Sequence, residues 1–214
     1  MQFRLLYKGK LPSQSQRGIG KQKHKIRKEL HKQLLYLWKT HPFLTDYYLG
    51  FPPPSLVSKT LVSAPAPGEP QRSWVDTAAD LYANCGYRFM PLVGQTFRDD
   101  IACALDILVL RRDHPGGSVK SGAGGGDIDN RIKVLLDALR MPQRCDELSG
   151  ESPGPGEDPF FCLLEDDGLI TELRITSDHL LTPLEPKEHQ NDVHLVIHVK
   201  TIVTRGDPLT SFLT

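Results

Sequence analysis

The 214-residue chain lacks most of the features that mark a specialised class of protein. Its four cysteines show no CxxC spacing, which argues against a zinc finger, and a chain of this size needs no disulfide framework. No stretch approaches ~20 apolar residues, and the N-terminus has no signal-peptide core. The sequence therefore predicts a soluble protein of a reducing compartment, with the cytoplasm as its expected location.

The chain also lacks net charge, because 26 basic residues balance 26 acidic ones. This balance hides an asymmetry: residues 17–39 contain eight cations and one acid, whereas residues 145–192 are predominantly acidic. Such a density of cations favours contact with the backbone of a nucleic acid, although a basic helix face can simply be solvated. The basic residues expected to make that contact are Lys21, Lys23, Lys25, Arg27, Lys28 and Lys32.

Apolar spacing predicts two main helices, at about 20–40 and 128–140, and a short one within 73–86. Strands outnumber helices in the predicted pattern. We therefore expect an α+β fold in which residues 1–214 form one domain, with a mixed, mostly antiparallel sheet packed against the helices. The predicted strands are 1–7, 87–93, 101–112, 169–176 and 192–203.

Three stretches have no periodic pattern. Residues 50–72 contain six prolines, residues 113–126 are rich in glycine, and residues 142–159 combine proline, glycine and acids. We expect all three to be irregular or flexible insertions. The glycine-rich stretch lacks the spacing of a phosphate-binding loop, so a linker is the default interpretation.

Residues 126–141 read GDIDNRIKVLLDALRM and place two carboxylates at the start of a helix. Asp127 and Asp129 can cap free backbone N–H groups and favour the helix dipole. Lys133 lies four residues after Asp129, where an ion pair contributes only ~0.3–0.5 kcal/mol. Asp137 continues the same polar stripe. These structural interpretations compete with a functional one, in which the stripe borders a binding site.

A second acidic cluster, Glu165, Asp166 and Asp167, stands between two apolar pairs just before a predicted strand. Three adjacent acids are usually a solvated turn. If the sheet brings this turn to the N-terminus of helix 128–140, several carboxylates converge and repel each other until a cation binds. Oxygen ligands without histidine or cysteine favour Mg²⁺ or Mn²⁺.

A carboxylate-bound Mg²⁺ beside a lysine suits hydrolysis of a phosphodiester. The metal activates water and neutralises charge on the phosphate, while Lys133 either stabilises the developing charge or helps to orient the attacking water. The basic segment 17–39 would then follow the nucleic-acid backbone.

The string DIDNRIKVLLDAL, followed later by EDDGLI, resembles the RusA family of Holliday junction resolvases over roughly residues 101–140 and 163–203. The resemblance implies a homodimer, often prophage-encoded, that nicks four-way DNA junctions with Mg²⁺ or Mn²⁺. It makes Asp127, Asp129 and Asp167 the catalytic metal ligands and Lys133 the catalytic lysine. The chain is longer than compact members of the family.

Two other functions remain open at this point. One is a DNA-binding module on the same fold that does not hydrolyse DNA and serves a mobile element or a defence system. The other is a structural domain whose acids only cap helices, which holds only if no divalent metal binds.

Overall fold

The computed structural model describes residues 1–49, 72–94, 101–112, 128–186, 188–189 and 192–204, and in these the chain is α+β, as predicted. The helices are α1 (Ile19–Thr40), α2 (Pro42–Leu49), α3 (Trp74–Leu81) and α4 (Ile128–Leu139). The strands are β1 (Gln2–Lys10), β2 (Ala83–Asn84), β3 (Tyr87–Val93), β4 (Ile101–Arg111), β5 (Phe160–Leu164), β6 (Ile170–His179) and β7 (Asp192–Val203). Two 3-10 turns cover Cys145–Leu148 and Asp167–Leu169.

The larger sheet has four strands in the order β1-β7-β4-β6. Strand β7 is antiparallel to both β1 and β4, and β4 is parallel to β6. The alternating residues Val193, Leu195 and Ile197 of β7 are buried, which confirms the predicted strand. Because β1, β4 and β6 run in the same direction, their C-terminal ends lie at one end of the sheet.

A second sheet joins β2, β3 and β5, and β5 was not predicted. All five residues of β5 are buried, so it lacks the alternation that reveals a half-exposed strand. Phe161 and Leu163 pack into the main core, whereas Phe160 and Cys162 belong to a second, smaller cluster. This sheet is therefore covered by apolar side chains on both faces.

Helix α1 confirms its predicted spacing. Ile26, Leu30, Leu34 and Trp38 recur four residues apart and are buried in the main core. The N–H of His41 donates to the carbonyl of Leu37 at 2.9 Å, and α2 begins at the next residue. The apolar face of α1 therefore packs inward along its whole length.

Residues 142–159 are irregular over most of their length, as expected, but they pack against the rest of the fold. A 3-10 turn begins at Cys145, and the segment packs along α1. His31 fixes its far end: the N–H of Phe161 donates to His31 Nδ1 at 2.9 Å, so Nε2 donates to the Gly156 carbonyl, also at 2.9 Å. Composition missed this because the anchoring residues lie more than 100 positions away along the chain.

A disulfide joins Cys85, in the turn between β2 and β3, to Cys145, with 5.2 Å between the Cα atoms. The cysteine spacing did not predict this pair, which is separated by 60 residues. Cys103 and Cys162 are free and buried, and burial raises the pKa of each thiol to about 12.

The predicted insertion at 113–126 and nearly all of the one at 50–72 lie outside the described residues. Among the described helices, none is long and apolar enough to cross a membrane.

Candidate metal and nucleic-acid site

The first turn of α4 carries the exposed part of the predicted site. Asp129 has about half of its side chain exposed and accepts a hydrogen bond from the N–H of Asn130 at 2.7 Å. A carboxylate here favours the helix dipole, so the capping interpretation of Asp129 is physically sound. Asp127 lies outside the described residues.

Lys133 stands one turn further along α4, as its spacing predicted. Its Nζ lies 3.5 Å from Asp129 Oδ2, and 62% of its side chain is exposed. This distance is long for a charge-assisted hydrogen bond, for which about 2.7–2.9 Å is usual. Water or a phosphate oxygen can therefore replace the contact at little cost.

Asp137 does not belong to the same exposed stripe, contrary to expectation. Its side chain is only 17% exposed and accepts from Lys23 at 2.5 Å and from Arg140 at 3.0 Å. The stripe of accessible charge on α4 therefore ends after Lys133.

The acidic turn before β6 is held firmly by neighbouring backbone and side chains. Tyr82 donates its hydroxyl to Glu165 at 3.0 Å, and Asp166 accepts from the N–H of Gly168 at 2.9 Å. Gln143 donates to the other oxygen of Asp166 at 3.2 Å. Asp167 is exposed at the start of the 3-10 turn.

The two acidic groups lie towards opposite ends of α4. Arg131 donates at 3.3 Å to the carbonyl of Leu11, the residue that follows β1. The helix α4 therefore begins near the C-terminal end of β1, which is the same end of the sheet as the C-terminal end of β4. At its other end, the N–H of Met141 donates at 2.8 Å to Leu164, which leads directly into the acidic turn.

The acidic turn does not lie beside the N-terminus of α4. The two acidic groups therefore do not converge within one chain. The turn contacts α4, and Gln143, which follows the C-terminal end of the helix, donates to Asp166. The ten residues from Asp129 to Leu139 span about 15 Å of helix. A helix that follows a strand and precedes a parallel one runs antiparallel to both, which separates the two groups.

The donor set still suits a hard cation, because Asp129 and Asp167 offer exposed carboxylate oxygens. Within the described ranges, no three His, Cys, Asp or Glu side chains stand together as a metal-binding group. The third predicted ligand, Asp127, lies outside those ranges.

The expectation that α1 presents an open basic face is wrong for two of its residues. Lys23 and Arg27 are 6% and 1% exposed. Arg27 donates to the carbonyl of Asp137 at 2.7 Å and to the carboxylate of Glu147 at 2.6 Å. Because Lys23 and Arg27 are both paired with acids inside the fold, neither is accessible to a ligand.

Lys28 is intermediate, since it pairs with Glu151 at 2.7 Å. The hydrogen bond to that carboxylate raises the pKa of Lys28 and lowers the pKa of Glu151. Of the six basic residues expected to contact DNA, Lys21, Lys25 and Lys32 are exposed, the last beside Glu29 at 2.9 Å.

Sequence reasoning missed the residues that hold the acidic turn. Tyr82 and Gln143 contact it from 83 and 23 positions away. No spacing rule connects them to Glu165 or Asp166, so only the fold reveals their positioning role.

Searches of protein-family models, of curated proteins and of solved structures each gave no significant match to this chain.

Proposed function

We propose that this protein is a Mg²⁺- or Mn²⁺-dependent DNA endonuclease that cuts four-way junctions, as its resemblance to the RusA family implies. The observation that carries the proposal is the exposure of Asp129, Lys133 and Asp167, whereas the neighbouring charges Asp137, Lys23 and Arg27 are paired inside the fold. Charges left accessible at the motif's own positions are available to a cation and a phosphate.

The roles of the chain's residues follow from their chemistry. Mg²⁺, when bound, neutralises charge on the phosphate and lowers the pKa of its attacking water. Asp127, Asp129 and Asp167 supply the hard oxygen ligands. Lys133 exchanges its long contact with Asp129 for the developing charge on the phosphate.

The separation of Asp129 from the acidic turn favours a site shared between two copies of the chain. About 15 Å of helix is too far for both carboxylates to hold one ion, whose oxygen ligands lie at about 2.1 Å. In a two-fold dimer, Asp129 of one copy meets the partner's Asp167, and each dimer carries two such sites. In this arrangement, the dimer implied by the resemblance is needed to complete each metal site.

Contact with the DNA backbone falls to the cations that remain accessible. Lys21, Lys25 and Lys32 are exposed along α1, whereas Lys23 and Arg27 are buried. Each phosphate contact makes the slope of log affinity against log salt concentration steeper by about one. Lys25→Ala is therefore expected to weaken junction binding and to flatten its salt dependence, while leaving any sequence preference unchanged.

The proposal is tested with a labelled synthetic four-way junction and a linear duplex, each with and without Mg²⁺. We expect paired nicks on the junction that require the metal. Asp129→Asn and Asp167→Asn are expected to reduce cleavage by about 100-fold or more. Asp146→Asn removes an equally exposed carboxylate, which pairs with Arg144, and serves as the matched control.

A shared site has its own signature. Mixing the inactive Asp129→Asn and Asp167→Asn proteins gives mixed dimers in which one of the two sites has both carboxylates. About a quarter of the wild-type number of sites is then restored after random exchange. Two sites that each lie within one chain predict no recovery.

A DNA-binding module without hydrolysis is the second candidate, favoured by the separation of the carboxylates within one chain. Tight, salt-sensitive junction binding with no cleavage in Mg²⁺ or Mn²⁺ supports it and rejects the nuclease. Absence of divalent-ion uptake, with unchanged stability in EDTA, supports purely structural acids.

A further inference from the structure

The two edges of the four-stranded sheet are treated differently. At the β1 edge, the side-chain amide of Gln33 occupies both backbone hydrogen-bonding groups of Leu6. The Leu6 N–H donates to Gln33 Oε1 at 2.9 Å, and Gln33 Nε2 donates to the Leu6 carbonyl at 2.6 Å. Such a cover keeps another strand from adding to the sheet. At the other edge, β6 pairs with β4 only, as far as the described residues extend.

Strand β6 is long, and residues 171–176 are all exposed. Its inward side chains continue a buried row of the neighbouring strand. Leu173 pairs in register with Leu105, and Ile175 with Ile107. The β4 residues are 1% and 0% exposed, whereas Leu173 and Ile175 are 41% and 38% exposed. The apolar row therefore reaches the sheet edge and stops in solvent.

We propose that β6 pairs antiparallel with β6 of a second copy of this chain, centred on Leu173. In that register Leu173 meets its own equivalent, and Glu172 stands opposite the partner's Arg174. Two-fold symmetry makes the Glu–Arg pair occur twice, and opposite charges that face each other across strands are stabilising. Glu172 and Arg174 have no ion pair within the described part of the chain.

The neighbouring symmetric register is less favourable. Centring the pair on Arg174 sets two guanidinium groups against each other and leaves Glu172 opposite the partner's Thr176. Like charges that face each other across strands are destabilising. The order Glu172-Leu173-Arg174 therefore selects the register, and a second copy is the strand that matches it.

This interface rests on the proposed dimeric nuclease and gives that dimer its geometry. Antiparallel pairing sets the start of one β6 beside the end of the other. The partner's acidic turn, which precedes its β6, then lies near His179 of this chain. His179 is in register with Arg111 at the C-terminal end of β4, the end at which α4 begins. The partner's Asp167 is thus carried to the end of the sheet that holds Asp129.

The first test measures self-association by light scattering, without metal or DNA, over a range of protein concentrations. We expect a dimer, and we expect Leu173→Lys to raise its dissociation constant by at least about 10-fold, since two lysines would face each other. Leu6→Lys is the matched control, because Leu6 is an exposed leucine (57%) on the guarded edge. Equal effects of the two changes, or a wild-type monomer at every concentration, overturn the proposal.

The second test fixes the register by cross-linking. Leu173→Cys places two thiols opposite each other, with Cβ atoms about 4.5–5.5 Å apart, and should form a dimeric disulfide on mild oxidation. Thr176→Cys is the control, because the register offsets its two copies by six residues, or about 20 Å. Equal cross-linking at both positions, or none at 173, contradicts this register.

The interface and the nuclease can fail separately. A dimer that responds to Leu173→Lys but never cleaves DNA rejects the nuclease and keeps the interface. Metal-dependent cleavage by a dimer that Leu173→Lys leaves intact rejects the β6 interface and keeps the nuclease. A stable monomer leaves the open edge to a strand from a different protein.

Discussion

Two helices of this molecule carry clusters of charge, and they use them differently. On α1, Lys23 and Arg27 are buried and bind acids 114 and 120 positions away. On the first two turns of α4, Asp129 and Lys133 are exposed and contact each other across one turn. Two cations of the denser cluster thus hold the fold together, while the sparser cluster is left accessible.

The difference shows that charge density along a sequence does not identify a ligand site. A buried cation must be paired, because an uncompensated charge in the interior costs several kcal/mol. An exposed pair contributes little to stability and is available for another role. Mutations that separate stability from ligand binding therefore test the comparison directly.

The largest effect on stability is expected for Arg27→Met. Arg27 donates to the carbonyls of Asp137, Arg140 and Glu147 and to the Glu147 carboxylate, so its loss leaves several buried acceptors without a donor. We expect the free energy of unfolding to fall by about 3–5 kcal/mol, measured by denaturant titration. Lys25→Met, on the exposed face of α1, should change it by less than about 0.5 kcal/mol. Similar losses in both variants would show that burial does not distinguish these cations.

Reduction of the Cys85–Cys145 disulfide is the next largest change. The bond closes a loop of about 60 residues and tethers the segment that carries Glu147. Opening it is expected to cost about 2–4 kcal/mol, read as a lower denaturation midpoint in reductant. The Cys85→Ser/Cys145→Ser double variant should start at the lower stability and not respond to reductant. An unchanged wild-type midpoint would mean that Arg27 and His31 hold the segment unaided.

Much of this fold could be predicted because its main elements are half-buried. Helix α1 and strand β7 show the regular spacing of one buried face, and the structure has both close to their predicted bounds. Strand β5 is buried on both faces, so it has no alternation to recognise. The periodic spacing of apolar residues reveals helices and strands that are buried on one face. It does not reveal elements that are buried on all sides.

The candidate site divides in the same way. Local spacing correctly predicted that Asp129 and Lys133 share a helix face. It could not predict that Asp137, two turns along from Asp129, is taken by Lys23 from a distant helix. Nor could it place the acidic turn relative to α4, because that depends on the direction in which the helix crosses the sheet.

Acidification should weaken the buried region before it affects the exposed one. Burial, with Lys28 nearby, lowers the pKa of His24 from 6.5 to about 4. The unfolded chain therefore binds the proton first, and stability is lost as the pH falls below about 6.5 until it levels off near 4. The expected loss is of the order of 2–3 kcal/mol, with His31 adding to it because burial also lowers its pKa.

Denaturant titrations at pH 7 and pH 5 measure this window. His24→Phe keeps a ring against Phe160, on which His24 stacks, and removes the titrating group. Its stability should change less between the two pH values than that of the wild type. Glu151, whose pKa is lowered by the hydrogen bond from Lys28, loses its contribution only below about 4.5, outside that interval. If His24→Phe loses as much stability between pH 7 and pH 5 as the wild type does, other groups cause the acid sensitivity.

The smallest effect on stability is expected for the exposed pair on α4. Asp129→Asn and Lys133→Ala each remove one partner of a 3.5 Å contact whose side chains are more than half exposed, so the free energy of unfolding should change by less than about 0.5 kcal/mol. A cation that binds only the folded protein raises the melting temperature, so millimolar Mg²⁺ should stabilise the wild type and not Asp129→Asn. Loss of more than about 2 kcal/mol in either variant without metal would instead make the pair a structural contact. Small stability changes, combined with loss of the Mg²⁺ response, would show that the charges on α4 contribute little to folding and instead bind the ligand.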